Sequence, residues 1–391
     1  FVTIEDMTAC NKHLSSTRKT ITDAGLSASA AWLVPSQHLL YSMYATLGKT
    51  RINTLPVATN QAVAAILPDP LRLDLSYLYY ALSNLEQQVH RFTSQTTQAN
   101  LNAGIVKSFD IGHPSSIPEQ RKIARILTTV DNLIEQTEAL IEKYKSIKQG
   151  MMHDLFTRGV DQSGQLRPPY EDAPELYKES ELGWIPKEWE VRGIGQHVTD
   201  WAVGPRFPGE LYNAGGNVAT LRTTDMDDEG NLSLSTMPNA QLNEREFQSH
   251  FLQPGDLVIS RSGTCGITAI FPGYDMHVVP GAFLIRFRFT DDLFPPFLKR
   301  YFNASGGRHK LLLQAEGGVL KNIRGTSILK ITVAFPSRPE QEEIEDRIRS
   351  CDKAIVKEAE FVDIIRATKT GLMHDLLTGK VRVNVDEVEE V

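Results

Sequence analysis

Few residues in this chain have the types and spacing that catalysis or metal binding requires. Its 391 residues contain no complete Gly-x-x-x-x-Gly-Lys-Ser/Thr loop, no His-Glu-x-x-His pair and no Cys-x-x-Cys pair, which argues against ATP hydrolysis and against a zinc site. The turn Ser262–Gly266 combines Ser, Cys and two glycines, but its order is not the Gly-x-Ser-x-Gly of a nucleophile turn. We interpret its glycines as turn residues, and we expect the chain to hold no catalytic residue and no metal.

The charged side chains are unevenly distributed along the chain. It carries 41 Lys and Arg against 48 Asp and Glu, a net charge of −7, which excludes a histone-like polybasic protein. Residues 1–114 hold 8 basic and 7 acidic side chains, and residues 191–336 hold 14 and 13. The acidic excess lies in 171–190 and 337–391, so a local basic face on either near-neutral segment stays compatible with the composition.

The cysteines and the longest uncharged stretch bear on where the chain works. Three scattered cysteines cannot build a disulfide framework, which favours a reducing compartment, and we expect a cytoplasmic protein. Residues 24–48 carry no formal charge but include Pro35, Gln37, His38 and several Ser and Thr residues. A membrane span needs about 20 predominantly apolar residues, so we expect buried strands and turns here and no membrane partner.

A long-period repeat organises the chain. Pro-Glu-Gln at 118–120 recurs at 339–341, and Met-His-Asp-Leu at 152–155 recurs at 373–376, both at an offset of 221 residues with no gap between them. Weaker repetition at similar offsets precedes each copy. The weaker pairs are 1–7 with 220–226, 42–48 with 260–266, and 100–101 with 322–323. The chain is therefore two copies of one unit, a variable globular half followed by a well-repeated segment.

The repeated segment has the apolar spacing of a long helix. Between Ile123 and Met151 apolar residues recur at spacings of three and four, which is a heptad seam. A helix of about 40 residues is about 60 Å long, and its apolar stripe needs a partner. We predict that 117–157 and 338–378 form an intramolecular antiparallel coiled coil. The alternative is that each helix packs on its own globular half.

His153 and His374 recur near the ends of the two predicted helices. In an antiparallel pair they lie at opposite ends, about 60 Å apart, which excludes a shared metal site. Two interpretations stay open for them. Each histidine could cap the last helical turn and interact with the helix dipole, or it could contact a partner protein.

The variable halves have the pattern of mixed α/β structure. Short apolar runs between Gly, Pro and Ser turns predict strands, and longer runs predict helices. The predicted strands are Trp32–Val34, Leu39–Tyr41, Asp256–Ile259 and Ala282–Ile285, and the predicted helices are Leu75–Leu85 and Pro296–Phe302. We also expect a strand at Phe1. The fold class is therefore α+β, with two mixed α/β domains separated by two long helices.

At this point the chain resembles a known family. Two variable halves, each followed by a Pro-Glu-Gln-x-x-Ile helix, with Glu-Leu-Gly-Trp-Ile-Pro-Lys-Glu-Trp at 181–189 between them, resemble the specificity subunit (HsdS) of type I restriction–modification systems. The resemblance covers nearly the whole chain. Further matching motifs lie at 46–48, 58–61, 254–256 and 376–383.

The resemblance implies a non-catalytic DNA-specificity subunit. Each half would be a target-recognition domain that reads one part of a bipartite, asymmetric site in double-stranded DNA. The helices would dock two methyltransferase (M) subunits, which bind S-adenosylmethionine and methylate adenine. Two restriction (R) subunits, which use ATP and Mg, would complete an ATP-dependent endonuclease. This chain itself would bind no cofactor.

The resemblance and the repeat together predict domain boundaries. By the offset of 219, Trp189 corresponds to a position about 30 residues before Phe1, so we expect the first recognition domain to be N-terminally incomplete. The predicted segments are recognition domain 1 at 1–115, spacer helix 1 at 116–158, a linker and the opening strand of the second half at 159–190, recognition domain 2 at 191–336, spacer helix 2 at 337–380, and an acidic tail at 381–391.

Polar and basic side chains in predicted loops are the candidate DNA contacts. For each of them a solvated or capping role is the alternative, and Asn60, Gln61, Asn100 and Asn322 could instead fix turns. The candidates are Lys12, Ser16, Arg18, Lys49, Asn60, Gln61 and Asn100 in the first half, and Arg206, Arg222, Thr223, Arg261, Ser262, Arg308, Lys321, Asn322 and Arg324 in the second.

Residues that persist between the two helices are the candidate contacts with M subunits. Two similar helices present two similar outer surfaces, so two partner copies per chain are expected. Local roles are the alternative for Gln120 and Gln341 in the first turn, and for Asp154 and Asp375 at the helix end. The candidates are Glu119, Gln120, Asp131, Lys148, His153, Asp154, Glu340, Gln341, Asp352, Lys369, His374 and Asp375.

A rival hypothesis of another class fits the repeat as well. The chain could be a coiled-coil scaffold whose globular ends bind proteins rather than DNA. That hypothesis does not explain why the helices repeat more clearly than the halves. An autonomous nuclease or methyltransferase lacks any supporting motif in the sequence.

Overall fold

The protein divides into two compact units, and both boundaries fall inside the long helices. The computed structural model describes residues 1–86, 88–89, 100–317 and 321–385. Unit 1 comprises Phe1–Ile141 and Lys357–Val391, and unit 2 comprises Glu142–Val356. Each unit therefore combines one globular half with part of each helix. Residues 386–391 of the predicted acidic tail lie outside the described residues.

The globular part of unit 1 contains six strands and four short helices. The strands are β1 (His13–Leu14), β2 (Leu33–Val34), β3 (Leu39–Ser42), β4 (Thr50–Asn53), β5 (Val57–Ala58) and β6 (Val63–Ile66). The helices are Ile4–Ala9, Asp23–Ser27, Leu75–Leu85 and Ala103–Lys107. A four-stranded sheet has the order β1-β4-β3-β6, in which only β1 and β4 are parallel, and β2 pairs with β5.

The first residues form a helix rather than the strand expected at Phe1. Thr3 caps Ile4–Ala9, and the buried carboxylate of Asp6 accepts the Thr3 N–H at 2.8 Å. This reciprocal capping box satisfies two backbone donors that an uncapped helix leaves free. The same carboxylate accepts the Arg18 N–H at 3.0 Å. The expectation of a strand was wrong because it overlooked the capping pattern Thr-x-x-Asp.

Two helices of 41 and 40 residues form the repeated segments. The first long helix is Ile117–Thr157 and the second long helix is Arg338–Leu377. Both begin at the predicted residue, and the second ends one residue before the predicted Thr378.

Within unit 1 the two long helices run antiparallel. Asp131 pairs with Lys369 at 2.6 Å, and Glu138 pairs with Arg366 at 2.6 Å. Residue numbers thus rise along one helix as they fall along the other. Leu127 of the first helix packs in one core cluster with Leu376 and Leu377 of the second and with the apolar face of the globular half. Partner helix and globular half therefore share the apolar stripe, so both sequence alternatives describe part of the packing.

Unit 2 repeats this arrangement with the remaining halves of the helices. Lys148 pairs with Asp352 at 2.6 Å, and the Cys351 thiol lies 3.7 Å from the Tyr144 carbonyl. Leu155 packs with Ile344 and Ile348 in the largest core cluster of the unit. The helix segments are again antiparallel, and the predicted fold class is confirmed.

The globular part of unit 2 contains thirteen described strands. They are β7 (Tyr177–Ser180), β8 (Gly183–Pro186), β9 (Glu190–Gly193), β10 (Val198–Val203), β11 (Val218–Leu221), β12 (Asn239–Ala240), β13 (Leu257–Ser260), β14 (Thr268–Ile270), β15 (Val278–Pro280), β16 (Leu284–Phe289), β17 (Ala315–Glu316), β18 (Asn322–Ile323) and β19 (Thr332–Phe335). The α-helices are Glu244–Phe247, Pro295–Asn303, Ser305–Leu313 and Gly325–Ile328. Short 3-10 segments are Pro174–Leu176, Ile194–Gln196, Gly209–Leu211, Thr223–Asp225, Leu234–Thr236 and Gln248–His250.

The strands of unit 2 form one larger sheet and several smaller ones. The antiparallel sheet β10-β16-β13-β14 lies beside the three-stranded sheet β12-β11-β15, in which β11 and β15 are parallel. β19 pairs with β9, so the strand that precedes the second long helix is tied to the opening strand of this half. Hairpins β7–β8 and β17–β18 complete the unit. The sheet holds the loop between β13 and β14, which is central to the site below.

Candidate nucleic-acid interface

A polar frame closes the loop between β13 and β14 in unit 2. The Ser260 hydroxyl donates to the Thr264 carbonyl at 2.5 Å and accepts the Ile267 N–H at 2.9 Å. The Gly266 N–H donates to the Ser260 carbonyl at 2.8 Å. Gly263 and Gly266 have φ values of 76° and 84°, a region that glycine enters without steric penalty. These contacts fix the backbone of the loop independently of the side chains at its tip.

The same frame recurs between β3 and β4 in unit 1. The Ser42 hydroxyl donates to the Thr46 carbonyl and accepts the Lys49 N–H at 2.9 Å, and the Gly48 N–H donates to the Ser42 carbonyl at 3.0 Å. Gly48 has φ 84°, and Ala45, at the position of Gly263, has φ 57°. The weak sequence repetition at offset 218 therefore corresponds to one loop geometry in both units.

Each loop is also anchored at its first residue by a later segment of the chain. The Ile323 N–H donates to the Arg261 carbonyl at 2.9 Å, and the Leu101 N–H donates to the Met43 carbonyl at 2.9 Å. The matched pairs are equivalent at offsets of 222 and 218. The frame thus has the same anchor in both units but carries Arg in one and Met in the other.

In unit 2 the frame brings together four of the predicted DNA-contact residues. Arg261 Nε donates to Asn322 Oδ1 at 3.0 Å, and Ser262 forms an isolated antiparallel bridge with Asn322. The Cys265 thiol donates to the Lys321 carbonyl at 3.3 Å, and burial raises its pKa, which suits a structural thiol rather than a nucleophile. Residues about 60 positions apart in the sequence thus form one polar surface.

Other predicted residues of unit 2 have roles in fixing turns. The Arg222 guanidinium holds the buried Asp225 with contacts at 2.8 and 3.1 Å and donates to the Thr236 carbonyl at 2.8 Å. Arg324 forms an exposed ion pair with Glu316 at 2.8 Å. The remaining predicted residues are the exposed Arg206 and Lys321 and the half-buried Thr223 and Arg308.

Lys12 was predicted to contact DNA, and the structure corrects this. Its side chain is buried in unit 1, where Nζ donates to Thr128 Oγ1 at 2.9 Å and lies 4.7 Å from the Tyr80 ring centre. Burial lowers the pKa of Lys12, and the nearby Asp131 carboxylate opposes this effect. An ammonium group that is enclosed and bonded in this way does not present itself to a phosphate, so we remove it from the candidate set.

The other candidates of unit 1 are divided between turn-fixing and exposed positions. Lys49 pairs with Glu86 at 2.9 Å. Asn60 Oδ1 accepts the Ala62 N–H at 3.0 Å, which agrees with the turn-fixing alternative. The exposed candidates are Ser16, Arg18, Gln61 and Asn100.

The two glutamines of the Pro-Glu-Gln motifs are buried, not exposed as predicted. Gln120 and Gln341 are 0% and 1% exposed. Gln120 Oε1 accepts the Asp74 N–H and Gln341 Oε1 accepts the Phe294 N–H, both at 2.7 Å, and each of these donors lies at the start of a short helix. Each Nε2 donates to carbonyls just before its own long helix. Their persistence reflects a shared structural role, so we remove both from the docking set.

The neighbouring glutamates are also largely enclosed. The Glu340 carboxylate accepts hydrogen bonds from Arg167 at 2.5 and 3.3 Å and from Trp189 Nε1 at 3.1 Å. Glu119 is 6% exposed and is held by a guanidinium at 3.1 Å from the segment after the second long helix. In each unit the start of one long helix thus binds the segment that follows the other. This correction leaves both glutamates without an exposed carboxylate for a partner.

The repeated acidic and basic pairs join the long helices to each other and to the globular halves. Besides its lysine partner, Asp352 holds Arg300 at 2.7 Å, and Asp131 accepts the Tyr80 hydroxyl at 2.7 Å. Beside the first of these clusters burial lowers the pKa of Lys299, and the adjacent Arg300 lowers it further. The pairs engage four predicted docking residues, namely Asp131, Lys148, Asp352 and Lys369.

The two histidines are the exposed members of the predicted docking set. His153 and His374 are both exposed, and within the described residues neither imidazole has a hydrogen bond or an ion pair. Asp154 and Asp375 each form a local ion pair with a basic residue in the following turn, at 2.6 and 3.2 Å. His153 and His374 therefore stay predictions as contacts, and Asp154 and Asp375 have the local role weighed above.

A groove of about 920 Å³ lies in unit 2 beside the end of the first long helix. Its wall includes Lys148, His153 and Phe156 of that helix, Trp184 of β8, and Arg308 of helix Ser305–Leu313. Trp184 is 47% exposed. The groove combines aromatic, basic and imidazole groups, a composition typical of an interaction surface.

Neither a metal cluster nor a membrane helix is found in the described ranges. No group of three or more His, Cys, Asp or Glu side chains in residues 1–86, 88–89, 100–317 and 321–385 lies close enough to bind a metal ion. In the same ranges, no helix combines the length and the hydropathy of a membrane span.

Two exposed loop-tip residues were missed by the sequence reasoning. Thr264 is exposed at the tip of the unit 2 loop, and Tyr44 is 37% exposed at the tip of the unit 1 loop. The offset-218 repetition was the available signal, because a repeated frame identifies its variable tip. The contact between Arg261 and Asn322 had no local signal.

Comparison with known proteins agrees with this architecture. Residues 1–145 and 186–360 match the family described as type I restriction modification DNA specificity domain. The chain is 29% identical over 324 residues to the type I restriction enzyme MjaVIII specificity subunit of Methanocaldococcus jannaschii, covering 80% of this chain and 71% of that protein. It is 20% identical over 377 residues to the MjaIX specificity subunit of the same organism, covering 95% and 84%.

Solved structures show a related fold at low sequence identity. The S subunit of a type I restriction–modification system from M. genitalium aligns over 94% of this chain and 88% of its own, with a TM-score of 0.53 and 16% identity. A chain from a structure on assembly and conformational transition of the type I system aligns over 89% and 83%, with a TM-score of 0.57 and 14% identity. Because the family match spans most of both units, this chain belongs to the type I restriction modification DNA specificity family.

Proposed function

We propose that this chain is the non-catalytic DNA sequence-specificity subunit of a type I restriction–modification complex, and that each unit reads one part of a bipartite, asymmetric site in double-stranded DNA. The repeated loop frame supports this best. Residues 42–48 and 260–266 share backbone hydrogen bonds and φ values, whereas their outward side chains differ. One frame that carries different polar side chains suits two readers of different sequences on one kind of partner.

The DNA surface of each unit includes its loop tip and nearby exposed polar groups. In unit 2, Arg261, Ser262, Lys321 and Asn322 lie together, and Arg206 and Arg324 are exposed. The near-neutral charge of each globular half is compatible with DNA binding, because affinity depends on local phosphate contacts. In unit 1 the exposed candidates are Ser16, Arg18, Gln61 and Asn100.

The partners follow from the proposed function. Two methyltransferase subunits dock on the outer faces of the long helices, at His153 and at His374, and bring S-adenosylmethionine. Two restriction subunits bring the ATP- and Mg-dependent activity, and the complex works in the cytoplasm. The exposure of both histidines at equivalent positions supports two docking sites.

An exchange of one globular half tests the proposal. Residues 191–336 are replaced by the corresponding segment of another specificity subunit, and adenine methylation is mapped across the genome of cells that carry the complex. One half-site should change and the other should persist. Replacement of residues 1–115 is the matched control, and it should change the opposite half-site. A change in both half-sites, or in neither, contradicts two independent readers.

The scaffold hypothesis makes a different prediction for the intact complex. A DNA reader should retain duplex DNA with an affinity that falls steeply with salt, because bound phosphates release counterions. A scaffold whose ends bind proteins should show no such binding. Fluorescence anisotropy with a labelled duplex at several salt concentrations separates the two hypotheses.

A further inference from the structure

The side chain of Arg261 is held in an orientation that leaves its two outer nitrogens for an external ligand. Its Nε donates to Asn322 Oδ1 at 3.0 Å. Within the described residues, the outer guanidinium nitrogens of Arg261 have no hydrogen bond or ion pair. The residue is half-buried, so its guanidinium is partly enclosed and partly accessible. An arginine that is fixed through Nε presents Nη1 and Nη2 as a planar pair of donors.

The backbone beneath this side chain is fixed on both sides. The Arg261 N–H donates to the Phe283 carbonyl at 2.8 Å, and its carbonyl accepts the Ile323 N–H at 2.9 Å. The Cys265 thiol adds a contact to the same carbonyl at 3.1 Å. The position of Arg261 is therefore set by β16, β18 and its own loop, which lowers the entropy that binding must overcome.

On the basis of the proposed DNA-binding function, we infer that Arg261 is a specificity-determining residue that reads a guanine in the major groove and that Asn322 is its positioning residue. Guanine presents O6 and N7 as two adjacent acceptors, and a bidentate arginine is the commonest contact with this pair. Ser262 and Thr264, at the tip of the same loop, lie within the same surface and supply further hydroxyl groups.

Unit 1 provides an internal contrast for this assignment. The equivalent loop position is Met43, and the position of Asn322 is taken by Asn100. Methionine offers no donor to a guanine, so the same frame cannot make this contact in unit 1. The difference accounts for an asymmetric site in which only one half carries this arginine-read guanine.

The test uses the complex purified from its host through an affinity tag on this chain. It is incubated with a duplex DNA library that contains randomised positions, and the bound fraction is sequenced. The wild-type complex should select a bipartite motif. In Arg261→Ala, one guanine of one half-site should lose its preference by about tenfold or more, and the other half-site should stay unchanged. Met43→Ala is the matched control and should not alter preference at that guanine.

Asn322 has its own pair of variants. Asn322→Ala removes the acceptor for Nε and should weaken preference at the same guanine, whereas Asn322→Asp keeps an acceptor oxygen and should restore it. A purely structural role would lower the melting temperature in both variants and weaken binding to all sequences. Thermal melting of each complex separates a folding defect from a loss of base preference.

Three results would overturn the assignment in distinguishable ways. An unchanged motif in Arg261→Ala removes Arg261 as a base reader. Equal weakening for all sequences, with a shallower salt dependence, identifies a phosphate contact instead. If the wild-type complex selects no motif at all, the proposed DNA-reading function itself fails, before any variant is considered.

Discussion

Gln341 places an amide in the interior of unit 2, where both of its polar ends have partners. Its oxygen accepts the Phe294 N–H at 2.7 Å, and its nitrogen donates to the Pro336 carbonyl at 3.0 Å and to the Asp292 carbonyl at 3.2 Å. Gln120 occupies the equivalent place in unit 1. The most recognisable sequence motif of the chain therefore joins each long helix to its globular half, and its repetition needs no external partner.

Replacement of this amide should destabilise unit 2. Gln341→Ala leaves a buried backbone N–H and two carbonyls without partners, and we expect a loss of about 3 kcal/mol in the free energy of unfolding, at 1–3 kcal/mol for each unsatisfied group. Chemical denaturation measures this loss. Gln149→Ala, at an exposed position of the first long helix, is the control and should change stability little. An equal effect of both variants would contradict the structural role.

Asp225 should make the stability of unit 2 depend on acid pH. Burial raises the pKa of this carboxyl, but hydrogen bonds from Arg222 and Thr236 outweigh that effect and hold it below its ordinary value of 3.8. A carboxylate with a lower pKa in the folded state adds stability above the unfolded pKa and loses it as pH falls through the folded value. Denaturation midpoints should therefore fall below about pH 4, and less steeply in Asp225→Asn. Asp228→Asn, an exposed neighbour, should keep the wild-type pH dependence.

The long helices are held together in each unit by one repeated Asp–Lys pair, and a side chain from the globular half joins each pair. Tyr80 is that third group in unit 1 and Arg300 in unit 2. Because a hydroxyl and a guanidinium can both bond to a carboxylate, the globular half can vary in sequence while the helix pair stays constant. This explains how divergent halves attach to nearly identical helices.

Removal of the carboxylate of Asp352 should weaken the helix pair of unit 2. Asp352→Asn leaves two half-buried cations, Lys148 and Arg300, without their full countercharge, and we expect a loss of about 2 kcal/mol in unfolding free energy. Glu142→Gln removes an exposed ion pair with Lys145 and should cost less than about 0.5 kcal/mol. Denaturation of both variants under identical conditions checks the difference, and similar losses would refute the special role of Asp352.

Sequence periodicity predicted the elements well because it depends on local spacing. The long helices, the short helix Leu75–Leu85 and the loop repetition at offset 218 were all visible in the residues. The unit boundaries inside the helices were not, because the apolar seam continues without change across them. Lys12 was misplaced because its polar neighbours in sequence gave no sign of Tyr80, which encloses it from 68 positions away.

At the scale of the whole chain, two equivalent helix ends predict two partner subunits. Native mass spectrometry of the intact complex should show two methyltransferase subunits per chain. His153→Ala combined with Asp154→Ala should favour a complex with one such subunit. His374→Ala with Asp375→Ala should have the same effect at the other site, and all four substitutions should abolish docking. A full two-to-one complex of unchanged affinity in these variants would exclude the four residues as contacts.

The division of unit 1 into two distant segments affects how the chain emerges from the ribosome. Unit 2 is continuous in sequence, whereas unit 1 waits for Lys357 and the residues after it. At 5–20 residues per second, translation needs about 10 to 40 s to cover the roughly 215 residues between Ile141 and Lys357. During that interval the nascent helix exposes Leu127 and neighbouring apolar side chains that the mature protein buries. A chaperone that binds this face co-translationally would protect the first half until synthesis is complete.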